Sequence, residues 1–265
     1  MKAIFNFAIR GDFQGILLSS ILISSAEFSF SQDSMSRKDT LNFRSEVSLT
    51  NNGFSFNPAF TLGKPAAILE MSIVWKRFSF EPQFRFSLDG KPWAFIFIYR
   101  YKIITSKKFQ FTVGTHLPGM PFITKTVTSG GVTSNTTVIN RYLVAELIPT
   151  YWITPKTYIG IYYNYAHGVE AEAIQQGHFL SLRAGFNNIK LSKQFHMSLA
   201  PQLFYLKLDE REGYYFSANM SIIKISFPIS IGSTMFNAFQ TDVAGKDFNW
   251  NVSVIYSFNK KYVAQ

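Results

Sequence analysis

Between residues 78 and 102 the chain alternates between large apolar and polar side chains, and this period of two constrains its fold more than any other feature. In FSFEPQFRFSL, Phe78, Phe80, Pro82, Phe84, Phe86 and Leu88 share one face, while Ser79, Glu81, Gln83, Arg85 and Ser87 share the other. The next run repeats the pattern, with Trp93, Phe95, Phe97, Tyr99 and Tyr101 on one side and Arg100 and Lys102 opposite. Successive side chains of a strand point to opposite faces, so both runs read as strands rather than helices. The intervening Asp89-Gly90-Lys91-Pro92 is turn sequence and makes them a hairpin.

The alternation continues along the chain and predicts twelve strands, near 53–62, 66–76, 78–88, 93–105, 108–118, 138–153, 157–167, 177–189, 194–208, 213–223, 225–236 and 247–258. Each has about 10 residues or a few more, enough to cross a bilayer when tilted. A soluble β-sandwich would bury the same aromatic faces against a second sheet. Two observations favour lipid instead. The chain is 17% aromatic, yet its mean hydropathy is only +0.05, because lipid-facing and lumen-facing residues cancel in any window. The second is the N-terminus, where Lys2 and Arg10 accompany a short apolar core, Gly15 to Ser25, and small residues near Ser29 and Ser31 offer cleavage before Gln32.

The expected fold is therefore all-β, a transmembrane antiparallel up-and-down barrel of about twelve strands. Residues 1–31 read as a signal peptide, 32–52 as a polar leader and N-terminal extension, 53–258 as the barrel and 259–265 as a C-terminal tail. Residues 41–50 resemble a strand, but a thirteenth would break even parity, so they are assigned to the extension. Even parity brings both termini to the periplasmic side of an outer membrane. Turns on that side then contain Lys76, Arg77, Lys107, Lys108, Lys156, Lys190, Lys193 and Lys224, with no carboxylate. Turns on the other side hold Asp89, Glu170, Glu172, Asp209, Glu210, Glu212, Asp242 and Asp247, mixed with a few cations. The longest outer segment, Gly119 to Asn140, is rich in Thr and Ser and reads either as a hairpin rising above the membrane or as a mobile surface loop.

Several function classes fall away. Cysteine is absent, which excludes disulfides, thiolate metal sites and cysteine nucleophiles. The net charge of +10 is scattered, without the basic face that nucleic acid requires. His167 and His178 flank one outer loop and point outward, but no fixed carboxylate accompanies them, so neither a metal site nor a cofactor is expected.

The last strand, FNWNVSVIYSF, resembles the closing strand of outer-membrane barrels, which is read by the barrel-assembly machinery. The tail from Asn259 to Gln265 departs from that pattern. With GKPAAILEMSIVWKRFSFEPQFRFSLDGKPWAFIF and GKDFNWNVSVIYSF, the chain is similar to outer-membrane β-barrel families of Bacteroidota that have no established activity. The resemblance implies fold and location, with outer-membrane lipid and the assembly machinery as partners, and leaves any solute or protein partner unknown.

The inward face carries the candidate site. Glu70, Glu81, Arg85, Arg100, Glu146 and Arg183 all fall on it by alternation. A two-residue turn at 90–91 places Glu81 opposite Arg100, and one at 77–78 places Glu70 opposite Arg85. Across Thr154-Pro155-Lys156, Glu146 faces Asn164. Such a lumen suits a narrow channel or a structural barrel, and inward Tyr142, Trp152, Tyr158 and Tyr162 narrow it further. Two alternatives remain, although an enzyme is not the expected reading. His196-Met197-Ser198 offers a nucleophile and base for a lipid-modifying hydrolase. The outer loops offer a surface for binding or for assembly into a complex.

Overall fold

The computed structural model describes residues 40–55, 57–129 and 132–263. The expected signal peptide and most of the polar leader lie outside the described residues. The chain forms β1 (Thr40–Thr50), β2 (Ala66–Trp75), β3 (Phe78–Ser87), β4 (Pro92–Thr105), β5 (Phe109–Ser129), β6 (Val132–Ile139) and β7 (Tyr142–Thr154). It continues through β8 (Thr157–Gly168), β9 (Gly177–Lys190), β10 (Phe195–Leu208), β11 (Arg211–Lys224), β12 (Ile229–Thr241) and β13 (Phe248–Val263).

All of these strands except β6 form one closed antiparallel ring. Sequential neighbours pair, β4 pairs with β5, β5 with β7, and β1 closes the ring against β13. The wall therefore has twelve strands. Closure leaves no strand edge unpaired, a requirement for any sheet surrounded by hydrocarbon. β6 pairs with the far half of β5, so this hairpin continues beyond the wall, as the alternation around residues 130–131 predicts.

The burial pattern is inverted relative to a soluble protein. Along β13, Phe248, Trp250, Val252, Val254 and Tyr256 are exposed, whereas Asn249 and Asn251 between them are buried. Leu143 and Leu147 are likewise exposed on β7, with Glu146 buried beside them. An apolar exterior around a polar interior is the arrangement that lipid selects. No described helix is long and apolar enough to cross a membrane, a criterion that has no bearing on strands.

The first wall strand differs from expectation. Residues 40–50, assigned to the extension, form β1, whereas 53–62, expected to be a strand, leave the wall and fold inward. Only one isolated bridge, Phe54 to Thr61, remains there. The reason is local: Asn51-Asn52-Gly53 turns the chain, and Pro58 supplies no ladder N–H. The tail is corrected by the same pairing, since Asn259 to Val263 extend β13 against Arg44 to Thr40. Each segment satisfies the backbone of the other, and a local window contains only one of them.

Candidate functional site

Alternation directs one polar group from each of several neighbouring strands into the lumen, and these groups converge on Glu146. Arg100 faces Gly114 on β5, Gly114 faces Glu146 on β7, and Glu146 faces Asn164 on β8. The buried Glu146 carboxylate accepts from Arg100 Nε at 2.7 Å and Nη2 at 3.0 Å. His116 Nε2 donates to it at 2.8 Å, and the Tyr162 hydroxyl donates as well. Arg100 uses its remaining nitrogen, Nη1, on Glu81, which also accepts from Ser79 Oγ at 2.7 Å. Asn164 Nδ2 donates to the Tyr162 oxygen at 3.3 Å.

Gly114 makes this reach possible. A Cβ there would lie 2.5 Å from Glu146 Oε2 and 2.9 Å from Arg100 Cγ. With no side chain on the intervening strand, the guanidinium crosses it and grips the carboxylate with two parallel donors. This planar fork is specific to arginine. Arg183 completes the cluster differently. Its guanidinium lies over the Tyr162 ring at 5.6 Å, and among the described residues it makes no ion pair with a carboxylate.

A second cluster centres on buried Arg85. Its Nη2 donates to Glu70 at 2.9 Å and to Gln83 Oε1 at 2.7 Å, while Nη1 donates to the Phe54 carbonyl at 2.9 Å. Arg85 thus ties the infolded segment to the wall. The Phe54 side chain packs in the lumen with an aromatic row of Tyr162, Phe179, Phe204, Tyr215 and Phe236. Ring centroids in that row, which crosses β8 to β12, are 5.7, 4.9, 4.9 and 5.4 Å apart in turn. Beside this plug lies a cavity of about 490 Å³, lined by Glu46, Glu70, Arg85, Asn219 and Asn251 among others.

Glu81 meets Arg100 and Glu70 meets Arg85, but diagonally rather than directly across. Glu81 stands opposite Ile98, and Glu70 opposite Gln83. The β2–β3 turn sits at 76–77, with Lys76 at φ 53°, and the β3–β4 connection spans Leu88 to Lys91 with a bulge at Arg85/Phe86. Both connections move the register by two residues, a distance that long side chains bridge. Glu146 stands opposite Asn164, as counted from sequence.

No hydrogen bond joins His196 and Ser198 among the described residues, and the register shifts between Met197 and Leu199. Ser198 lines the cavity instead. His167 Nδ1 donates to the Gln175 carbonyl at 2.8 Å, and His178 Nδ1 bonds the Tyr163 hydroxyl at 2.9 Å. Among the described residues no group of three metal-binding side chains assembles.

Three lumen features escaped the sequence reading. Glu46 was hidden because β1 was assigned outside the wall, yet it stands directly opposite Glu70. His116 shares the inward parity of Gly114 on β5, and counting along the row from Arg100 to Glu146 would have found it. Of the aromatic row only Tyr162 was read as inward; Phe179, Phe204, Tyr215 and Phe236 lie on the face that strand alternation marks as polar, so the apolar count on either face never isolated them.

No protein-family model matches the chain, and no curated protein matches it. Among solved structures it is similar to the KdgM porin, with 12% identity, a TM-score of 0.48, and coverage of 83% of this chain and 99% of that one. It is similar to an outer membrane channel from Pseudomonas putida F1, with 10% identity, a TM-score of 0.47, and coverage of 84% and 96%. OmpT of Vibrio cholerae is also similar, with 8% identity, a TM-score of 0.43, and coverage of 83% and 98%. Likeness at this level carries nothing about what passes through, or binds to, this barrel.

Proposed function

We propose that this chain is an outer-membrane barrel acting as a narrow channel, with its bore restricted by the infolded segment and the Glu146 network. The observation that carries the reading is the placement of Phe54. Its carbonyl is held by Arg85 and its buried side chain belongs to the same lumen cluster as Phe204 and Tyr215, so the described residues around Phe54 narrow the space inside the wall. Constrictions of this kind set which solutes pass, and the self-neutralised charges around them limit ion flow. A barrel of twelve strands lies between the filled eight-stranded and open sixteen-stranded cases, so it has room for a bore that such a segment can narrow.

Single-channel recording in planar bilayers tests the reading. The intact protein is expected to show small conductance, and Phe54→Ala combined with Arg85→Ala is expected to enlarge it. A barrel that stays silent with both substitutions is a purely structural one. The same recordings address the hydrolase alternative only indirectly, so lipid profiles after incubation with the protein provide its separate check. Unchanged profiles are expected, because among the described residues no hydrogen bond joins His196 to Ser198.

A further inference from the structure

The rim that carries Thr40 and Val263 differs chemically from the opposite rim. Its turns hold Lys76, Arg77, Lys107, Lys108, Lys156 and Lys193, and no carboxylate. Lys224 and Lys260 add to it from the ends of β11 and β13. The connections at the other rim contain Asp89, Glu170, Asp209 and Asp242. The turn cations of this rim therefore stand without carboxylates beside them, whereas those of the opposite rim, such as Lys64, Lys91 and Arg141, are interspersed with acids.

The rim is also aromatic. Lys76 Nζ lies 4.8 Å from the centroid of Trp75, Lys224 Nζ 5.8 Å from that of Phe227, and Lys260 Nζ 5.1 Å from that of Tyr262. At the β4–β5 turn of this rim Lys107 and Lys108 stand side by side. Aromatic rings at the level of the headgroups, with lysines reaching past them, place cationic donors where lipid phosphates sit.

We infer that this rim binds anionic phospholipid headgroups, and that the adjacent cations Lys107 and Lys108 are their strongest seat. The inference rests on the membrane-barrel reading but not on channel activity. The arrangement favours lipid over a globular acidic partner because the cations run around the circumference, from β2 through β13, as a surrounding leaflet does. An acidic protein would dock on one side and require a one-sided patch. Each lysine near an anionic bilayer surface strengthens association about fivefold, and added salt weakens it.

The test uses the full chain folded into vesicles of phosphatidylcholine alone and of phosphatidylcholine mixed with phosphatidylglycerol. Thermal unfolding and native mass spectrometry of retained lipid are the readouts. Higher unfolding temperature and retained phosphatidylglycerol are expected in the mixed vesicles. Lys107→Gln with Lys108→Gln should lose much of both effects while the barrel still folds in phosphatidylcholine, and the Lys→Arg pair should keep them. Equal behaviour of wild type in the two vesicles overturns the inference, as does an unchanged lipid preference in the Gln pair. Inorganic phosphate added to the detergent-solubilised protein should not reproduce the stabilisation; if it does, the rim is a free-anion site. Failure to insert into either vesicle would instead overturn the membrane-barrel reading itself.

Discussion

Arg100 and Glu146 are joined by a two-donor ion pair that passes over an intervening strand, because the residue between them, Gly114, has no side chain. Three consecutive wall positions thus act as one unit, and the smallest of them determines whether the other two meet.

Gly114→Val is expected to force the guanidinium and carboxylate apart. Overpacking of this kind costs about 1–3 kcal/mol. Urea unfolding of the vesicle-embedded protein measures it, and a midpoint equal to wild type would mean that the pair reaches around the added side chain.

Removing one partner should cost more than removing both. Glu146→Leu removes the fully buried counter-charge of Arg100 and leaves it only the part-buried Glu81, and breaking a buried pair typically destabilises by about 3–5 kcal/mol. Arg100→Leu combined with Glu146→Leu should recover much of that loss. A double-mutant cycle from unfolding midpoints gives the coupling, and strict additivity would show that the two side chains act independently.

Phe54→Ala empties a place in the aromatic row and loosens the infolded segment. Large-to-small changes at buried aromatic positions cost about 3–5 kcal/mol where surroundings do not collapse. Here the wall persists without the segment, so the change should appear as faster proteolysis within residues 51–65 rather than as loss of the barrel. Limited proteolysis in vesicles with mass-spectrometric mapping checks this.

The acid response of the loops should be local. At the Ser87–Lys91 turn, the Ser87 hydroxyl and the Lys64 ammonium hold the Asp89 carboxyl down at about 2. Because its value is depressed, its contribution to turn order is complete above the ordinary carboxylate range and is lost as pH falls through about 2. Glu170, held down by the Arg141 backbone N–H and guanidinium, should follow the same direction. Amide exchange of residues 88–91 as pH is lowered reports the transition, and Asp89→Asn should abolish it.

Much of the wall was legible because strand alternation is local. Phe78 to Ser87 reveals its two faces to any reader of the sequence, and with them the inward position of Arg85. What was not legible depends on distant partners. Residues 41–50 become a strand only because β13 and β2 flank them. The pairing of Glu81 with Arg100 was visible, but its diagonal geometry was not, because a turn one residue away from its expected place shifts the register by two. Glu146 was identified as inward, whereas its role as the common acceptor for Arg100, His116 and Tyr162 needs the wall to curve until β4, β5, β7 and β8 face one space.

The seam between β1 and β13 also governs the order in which the molecule can be made. Thr50 Oγ1 donates to the carbonyl of Val252, 202 positions along the chain, so the opening strand has no permanent neighbour on that side until nearly everything else has been synthesised. A pairing this distant is slow to find unaided, and the open edge and apolar exterior are prone to aggregate while it is being found. The β1–β13 seam therefore closes last, and a chain truncated within β13 would leave β1 held by β2 alone, with its other edge open.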